Sequence, residues 1–161
     1  MEIRQAELKD IPAISEIDAA CFDAAVASDD ALVRGRINHY ANHFWVVCEG
    51  EKVAGYINGF CTDKENLEDE MLVRPELHEE TGAWQMLFGL AVDPVFQCRG
   101  FASALLQQAC GDARLHGRKG LVLTCKDRMV PYYQRFGYVD EGISVYATAD
   151  GPWHQMRLRL E

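Results

Sequence analysis

One short turn of the sequence has the residue types of a phosphate-binding site. Residues 97–103, Gln-Cys-Arg-Gly-Phe-Ala-Ser, follow an apolar run and precede a helical pattern. A glycine and small residues at the start of a helix leave several backbone N–H groups free and direct them outward, and such groups bind phosphate. The turn is neither a P-loop, since no Lys-Ser or Lys-Thr follows the glycine, nor a dinucleotide fingerprint, since G-x-G-x-x-G is absent.

The segments on both sides of this turn must hold it in place. Residues 83–92, AWQMLFGLAV, form a nearly unbroken apolar run, which predicts a central strand buried on both faces. After the turn, apolar residues recur with helical spacing and predict one buried helix face, formed by Ala102, Leu105, Leu106, Ala109, Cys110 and Ala113. Residues 120–125, GLVLTC, predict a second buried strand. We therefore expect residues 84–125 to form a right-handed βαβ unit with two neighbouring, parallel strands.

The rest of the chain predicts an α/β fold with a mixed central sheet. Strand and helix patterns follow the order βααβββαβαββ, with a hairpin turn at Gly50 and an acidic, partly helical excursion at 63–80. The helix expected at 28–42 would leave Arg34 and Arg36 exposed. Because the 161 residues show no repeat, low-complexity tract or linker, we expect residues 1–161 to form a single domain.

The composition argues against several classes of partner. Twenty-five acidic against sixteen basic side chains give a net charge of −9, which disfavours nucleic acid and membrane surfaces. The first residues have neither the basic nor the apolar region of a signal peptide, so a cytoplasmic protein is expected. The cysteines lack metal-ligand spacing, which predicts reduced core thiols without a disulfide or a metal site at Cys21, Cys48, Cys61, Cys98, Cys110 and Cys125.

The turn and a second motif resemble those of a known family. Residues 97–102 fit the pattern Q/R-x-x-G-x-G/A and resemble the pyrophosphate loop of the GNAT N-acetyltransferase superfamily. Residues 123–142, LTCKDRMVPYYQRFGYVDEG, are similar to a segment of the arylalkylamine N-acetyltransferase branch and its bacterial relatives. The order of elements also matches that superfamily along nearly the whole chain. The resemblance implies a GNAT fold and an enzyme that takes acetyl-CoA as co-substrate and needs no metal.

The resemblance also implies which residues bind the coenzyme. Backbone N–H groups from Cys98 to Ser103 would hold the pyrophosphate, in a loop formed by Gln97, Cys98, Arg99, Gly100, Phe101, Ala102 and Ser103. Arg99 either adds charge near the phosphates or is a solvated arginine of the first helical turn. The backbone groups of Leu90, Ala91 and Val92 would pair with the pantetheine amides, where the two parallel strands splay apart.

Catalysis by this family requires a proton acceptor for the amine and a group that stabilises the leaving thiolate. Tyr133 matches the tyrosine that the family directs at the coenzyme sulfur, so the resemblance implies that its phenol acts as general acid. The arylalkylamine enzymes carry an H-x-H pair on the strand before the loop, whereas this chain has Met86 and Phe88 there. With Trp84 on the same strand face, these residues predict a more apolar acceptor pocket.

The general base is not identified by the sequence. The candidates are Asp63, His39, His43, His78, Glu79, Glu80 and His154. Each of them fits the pattern of an ordinary surface or structural residue better than that of a base. We therefore expect water-mediated deprotonation, or an acceptor amine that is already partly neutral.

The sequence as a whole predicts an N-acetyltransferase for a small primary amine, with an aromatic or apolar tail as one option. Two alternatives stay open: a transferase for protein or peptide amines, and a non-catalytic domain that binds or senses acyl-CoA, which the missing histidines favour. A hydrolase with a cysteine nucleophile is disfavoured, because no cysteine is accompanied by a base and an orienting residue. Both a monomer and a homodimer are compatible with the sequence.

Overall fold

A computed structural model describes residues 1–23, 27–149 and 151–161 of the chain. The strands are β1 (Glu2–Gln5), β2 (Phe44–Glu49), β3 (Lys52–Asn58), β4 (Cys61–Thr62), β5 (Trp84–Leu87), β6 (Gly89–Val92), β7 (Gly120–Cys125), β8 (Val139–Ile143) and β9 (His154–Arg159). The α-helices are α1 (Ile11–Cys21), α2 (Asp30–Tyr40), α3 (Asp69–Val73), α4 (Phe101–Leu115) and α5 (Val130–Gln134). None of the helices in the described ranges combines the length and apolar character that a membrane-spanning helix needs.

The elements fall into two compact units with a sheet each. The first unit consists of Met1–Gly59 and Gly89–Ala109, and the second of Phe60–Phe88 and Cys110–Glu161. The chain has the α/β content that the sequence predicts. The single domain expected over residues 1–161 stays a prediction.

The first unit is built on an antiparallel sheet with the strand order β1-β2-β3-β6. Apolar side chains from α1, α2 and the sheet form its core, among them Ile11, Ile14, Ile17, Val33, Ile37, Phe44 and Val46. β3 and β6 lie unusually close at Gly55, where a Cβ atom would come within 2.7 Å of the carbonyl oxygen of Ala91. Only glycine allows this approach, because any side chain would force the two strands apart.

The second unit contains a mixed sheet with the strand order β4-β5-β7-β9-β8. β5 and β7 are parallel, with Trp84 opposite Gly120 and Leu87 opposite Leu123, whereas the other neighbours are antiparallel. The parallel pairing expected within residues 84–125 is therefore confirmed. Leu121, Val122 and Met156 are fully buried, as expected for central strands of a covered sheet.

Three sequence predictions about these elements are wrong in detail. The strand expected at 83–92 is divided at Phe88: β5 pairs with β7 in the second unit, while β6 pairs with β3 in the first. The run EKVAGYINGFCT at 51–62 predicts one strand, but β3 ends at Asn58 and Cys61–Thr62 form a separate short strand beside β5. Arg36, expected to be exposed on α2, is only 5% exposed.

Candidate functional site

The chain enters the loop at 97–103 from β6 through a tightly hydrogen-bonded turn. The backbone N–H of Asp93 donates to the carbonyl of Ala54, and the Asp93 carboxylate accepts from the N–H of Val95 at 3.0 Å. The Gln97 side-chain amide donates to the carbonyl of Val92 at 3.0 Å. These bonds fix the position of the loop relative to the end of β6.

The loop itself presents its backbone N–H groups outward. Cys98 and Gly100 have positive φ angles of 64° and 85°, and both residues are exposed. In the part of the chain that the structure describes, the backbone N–H groups from Gly100 to Ser103 donate no hydrogen bond. A Cβ atom at Gly100 would meet no atom within 4 Å. Consecutive free N–H groups in open space at the start of a 15-residue helix can bind an anion.

Arg99 is held over aromatic rings beside this loop. Its guanidinium lies 5.5 Å from the ring centre of Phe96 and 5.4 Å from that of Phe101, and 3.9 Å from the Glu49 carboxylate. The side chain remains about half exposed, at 51%. Arg99 packs on the first helical turn while its charge stays at the surface near the loop, and a role toward phosphate stays a prediction.

β6 lies at an edge of the sheet of the first unit. Among the described residues it pairs only with β3, so the backbone groups on its other side have no strand partner. Leu90 is partly exposed, whereas the side chains of Ala91 and Val92 are buried. The strand therefore offers main-chain donors and acceptors to an extended ligand while its side chains stay anchored in the fold.

Tyr133 lies on the short helix α5 of the second unit, between two other tyrosines. Its ring makes edge contacts with those of Tyr132 and Tyr138, with centroid distances of 5.3 and 6.0 Å. Burial, followed by the nearby Cys125 and Tyr132 groups, raises the pKa of its phenol above the ordinary value. Its hydroxyl makes no hydrogen bond to any residue that the structure describes. The phenol is therefore protonated at neutral pH and able to donate.

The family model described as Acetyltransferase (GNAT) family matches residues 11–138 of the chain. The chain belongs to the GNAT family of acetyltransferases. Serotonin N-acetyltransferase of Mesocricetus auratus is 34% identical to this GNAT protein over 106 residues, which are 60% of this chain and 49% of the relative. The matched region thus spans about half the length of that relative.

Solved structures have the same fold as this GNAT protein. The GNAT-like decarboxylase GphF in complex with isobutyryl-CoA superposes with a TM-score of 0.87 at 22% identity, and the match covers 100% of both chains. The ribosomal-protein-S18-alanine N-acetyltransferase from Escherichia coli superposes with a TM-score of 0.72 at 19% identity, over 99% of this chain and 94% of the other. These similarities confirm the GNAT fold that the sequence predicts.

The three residues expected to form an apolar acceptor pocket differ in their exposure. Trp84 is 3% exposed, and the guanidinium of Arg157 lies 4.7 Å from its ring centre. Met86 is fully buried. Phe88, which packs edge-on against Phe60 with a centroid distance of 4.9 Å, keeps part of its surface exposed. Of these three side chains, Phe88 is the one that a ligand could contact without rearrangement of the sheet.

His78 was one candidate for the general base of this GNAT enzyme. Its Nδ1 accepts a hydrogen bond from the backbone N–H of Cys61 at 3.0 Å, and its Nε2 lies 2.9 Å from the Glu80 carboxylate. In the neutral ring the proton therefore resides on Nε2 and is donated to Glu80. Glu80 also lies 3.4 Å from the guanidinium of Arg118. Both ring nitrogens and the carboxylate thus take part in structural hydrogen bonds.

The two other acidic candidates of the second unit are similarly engaged. The Glu79 carboxylate accepts from the hydroxyl of Thr62 at 3.3 Å. The Asp63 carboxylate accepts from the backbone N–H of Ala83 at 3.0 Å. These bonds connect the start of the acidic excursion to the segment before β5, which is a structural role.

The three remaining candidate histidines lie in different environments. His39 is exposed on α2, and His43 is fully buried before β2. His154 lies between two carboxylates, with Nδ1 3.0 Å from Asp140 and Nε2 3.2 Å from Asp127. The Asp140 hydrogen bond, together with the charges of both aspartates, raises the pKa of His154. A histidine whose two ring nitrogens both lie against carboxylates in this way is a poor proton acceptor.

The cysteines are free thiols, as predicted. Their expected burial is confirmed for Cys48, Cys61 and Cys125 and is wrong for Cys98, which is exposed in the loop. The reason is that Cys98 occupies a turn position with a positive φ angle outside the helix and strand patterns that bury the other thiols.

Proposed function

We propose that this GNAT protein transfers the acetyl group of acetyl-CoA to the primary amine of a small molecule. The observation that carries the proposal is the run of free N–H groups from Gly100 to Ser103, with open space at Gly100. The helix dipole of α4 adds to the attraction of these groups for negative charge. The residues present therefore fit a coenzyme pyrophosphate.

The edge of β6 supports a position for the rest of the coenzyme. Acetyl-CoA is a linear molecule in which the pyrophosphate, the pantetheine arm and the thioester follow one another. Because β6 leads into the loop, an arm that runs back from the loop would pass Val92, Ala91 and Leu90 in turn. Its amides would pair with the free backbone groups of the strand, as an added strand would.

Tyr133 is proposed as the general acid. The amine nitrogen forms a bond to the thioester carbonyl carbon, the bond from carbon to sulfur breaks, and Tyr133 gives its proton to the sulfur as negative charge develops there. The nitrogen releases its surplus proton to solvent as the amide forms, and the Tyr133 phenolate takes up a proton from solvent, which restores the acid. The raised pKa keeps the phenol protonated until that moment. The absence of a hydrogen-bond acceptor for its hydroxyl among the described residues leaves this proton available.

An aromatic alkylamine is the proposed acceptor. The support comes from the 34% identity to serotonin N-acetyltransferase, whose name specifies such an amine, and from the partly exposed ring of Phe88. An aromatic ring favours flat apolar ligands through offset or edge contacts. Because Trp84 and Met86 are buried, the selectivity for an aromatic tail would depend mainly on Phe88.

A screen of amines with acetyl-CoA tests this function. Aromatic alkylamines, polyamines, amino acids and peptides with free N-termini are each incubated with the enzyme, with thiol release followed by colour and the amide identified by mass spectrometry. The highest kcat/KM is expected for aromatic alkylamines. A preference for peptides would make the protein a peptide acetyltransferase, and binding of acetyl-CoA without any amide product would make it a binding domain.

A further inference from the structure

The core of the first unit contains four buried polar side chains that the roles above do not use. Asp18 is 2% exposed, Arg36 5%, Tyr56 3% and Asn58 1%. They lie among the apolar residues that α1, α2 and the sheet contribute to the core. Burial of ionisable groups is costly even when they are paired, so an apolar core alone does not account for them.

These side chains form hydrogen bonds with one another and converge on Gly89. The Tyr56 hydroxyl donates to the Asp18 carboxylate, whose other oxygen accepts from the backbone N–H of Ser28 at 3.3 Å. Arg36 donates to the Asn58 side-chain oxygen at 3.4 Å. A Cβ atom at Gly89 would lie 3.2 Å from the Tyr56 hydroxyl oxygen. Because Gly89 has no side chain and is partly exposed, the hydroxyl lies directly behind the surface of the strand there.

Gly89 is the first residue of β6, and this position gives the cluster a chemical context. In the proposed complex, the pyrophosphate lies at 97–103 and the pantetheine arm runs back along Val92, Ala91 and Leu90. The thioester follows the arm in the coenzyme, so it would come next, at the Gly89 end of the strand. An amine that attacks the thioester must therefore lose its proton close to Tyr56.

The electrostatics of the cluster favour a carboxylate that takes up a proton. Burial raises the pKa of Asp18, although the hydrogen bonds from Tyr56 and Ser28 and the charge of Arg36 oppose this rise. Burial and the Asp18 charge also raise the pKa of Tyr56 well above its ordinary value. Cys21, the other titratable group near Asp18, has a raised pKa as well and stays neutral. Tyr56 thus keeps a proton at all times, and Asp18 is more basic than an exposed aspartate.

We propose that Tyr56 and Asp18 together accept the proton of the acceptor amine. This inference rests on the proposed function. An N–H bond of the ammonium group breaks and its proton forms a bond to the Tyr56 oxygen, while the proton that Tyr56 carried moves to Asp18. The nitrogen keeps the electron pair with which it attacks the thioester. Tyr56 would be the catalytic residue that contacts the amine, Asp18 becomes a neutral carboxylic acid, and its proton returns to solvent after the product leaves.

The test compares two acceptors that differ in how easily they lose a proton. The probes are 2-phenylethylamine, which is almost fully protonated at neutral pH, and its β,β-difluoro analogue, whose nitrogen is largely neutral because fluorine withdraws electrons. Asp18→Asn and Tyr56→Phe should each lower kcat/KM for 2-phenylethylamine by roughly 10²-fold or more, the usual range for a positioned base. With the difluoro amine the loss should be only a few fold, and the affinity for acetyl-CoA should be unchanged.

Asp10→Asn is the matched control, because it also neutralises a buried carboxylate in the first unit. Asp10 is 4% exposed and pairs with Arg4 at 2.7 Å. This variant should change kcat/KM by the same factor for both amines, and thermal unfolding shows whether each variant keeps its fold.

If Asp18→Asn does not fold, the result with Tyr56→Phe decides, since this variant removes only a single hydroxyl group. An equal loss with both amines in Tyr56→Phe would make the pair structural and overturn the proposal. If the wild-type enzyme acetylates neither probe, the proposed acceptor class fails, and the proton relay fails with it.

Discussion

The two units differ in the kind of group from which their proposed sites are made. In the first unit, the proposed coenzyme contacts come from the main chain, namely the N–H groups in the loop at 97–103 and the edge of β6 that has no strand partner among the described residues. In the second unit, the proposed acid is one hydroxyl group, that of Tyr133 on a five-residue helix. The main-chain site depends on backbone dihedral angles, whereas the side-chain site depends on the chemistry of a single atom.

Because the two sites are built differently, substitutions in them should affect coenzyme binding and the chemical step separately. A main-chain site depends on the path of the backbone, which at Cys98 has a φ angle of 64°, in the left-handed region that few side chains adopt. A substitution there should change the affinity for the coenzyme and leave the rate of the bound complex nearly unaltered. A substitution at Tyr133 should instead slow the reaction of the bound complex and leave the affinity for the coenzyme nearly unaltered.

The largest effect is expected for Tyr133→Phe. The variant keeps the ring that packs between Tyr132 and Tyr138, so its thermal stability should change little. Without the hydroxyl, no acid protonates the departing sulfur, and the chemical step should slow by roughly 10²-fold or more. The affinity for acetyl-CoA should stay within a few fold. Single-turnover kinetics measures the chemical step directly, even if product release limits the wild-type enzyme.

Tyr132→Phe provides the matched control for this prediction. Tyr132 contacts Tyr133 within the same aromatic group but has no proposed chemical role. Its variant should keep nearly full activity. If Tyr133→Phe were as active as Tyr132→Phe in single turnovers, Tyr133 would not be the acid, and the contrast between the two units would disappear.

The next largest effect is expected for Gly100→Glu in the first unit. Glutamate would adopt the φ angle of 85° only with strain and would bring a negative charge to the proposed pyrophosphate site. Acetyl-CoA binding should weaken by well over tenfold, which is about 1.4 kcal/mol or more. Isothermal calorimetry measures this affinity.

Gly50→Glu separates strain from ligand repulsion. Gly50 lies in the turn between β2 and β3, has a φ angle of 61°, and also has no atom within 4 Å of a Cβ position. The control variant shares the backbone strain and the added charge but lies outside the loop. If both variants weakened acetyl-CoA binding equally, the main-chain site at 97–103 would be wrong.

The smallest effect concerns a surface ion pair of the second unit. The pKa of His154 is raised by Asp140 and Asp127, so its contribution to stability is present below its ordinary pKa of about 6.5 and lost as pH rises through the raised value. The pKa of Asp140 is lowered, so the contribution of Asp140 to stability is lost as pH falls through that lowered value. His154→Gln should therefore lower Tm at about pH 6 by at most about 2 °C and have no effect at about pH 9.

His116→Gln is the control for this comparison, because His116 is another surface histidine near an aspartate, Asp112. If the Tm of the wild type and the Tm of His154→Gln depend on pH in the same way, the ion pair contributes nothing measurable to stability.

Much of the fold could be predicted from patterns of local sequence. The helix face of α4 and the parallel pairing of β5 with β7 follow from apolar spacing and from the handedness of βαβ units, and both are present. The loop at 97–103 was recognisable because a glycine and small residues stood at a helix start. These features depend on a few neighbouring residues, so the sequence carries them directly.

Features that depend on partners distant in sequence could not be predicted in this way. An unbroken apolar run at 83–92 gives the same pattern whether its two halves share one neighbour or pair with different strands, so the division at Phe88 was invisible. Arg36 has the helical position of an exposed residue, but it is buried and donates a hydrogen bond to Asn58 on β3, which is distant in sequence. The cluster at Gly89 was missed for the same reason.

An unpaired sheet edge such as that of β6 is also a template on which another chain can add a strand, and natural proteins usually cover or interrupt such edges to avoid aggregation. A pantetheine arm paired with β6 would cover this edge. The coenzyme would then act as a protective partner that keeps folded molecules apart, in addition to reacting.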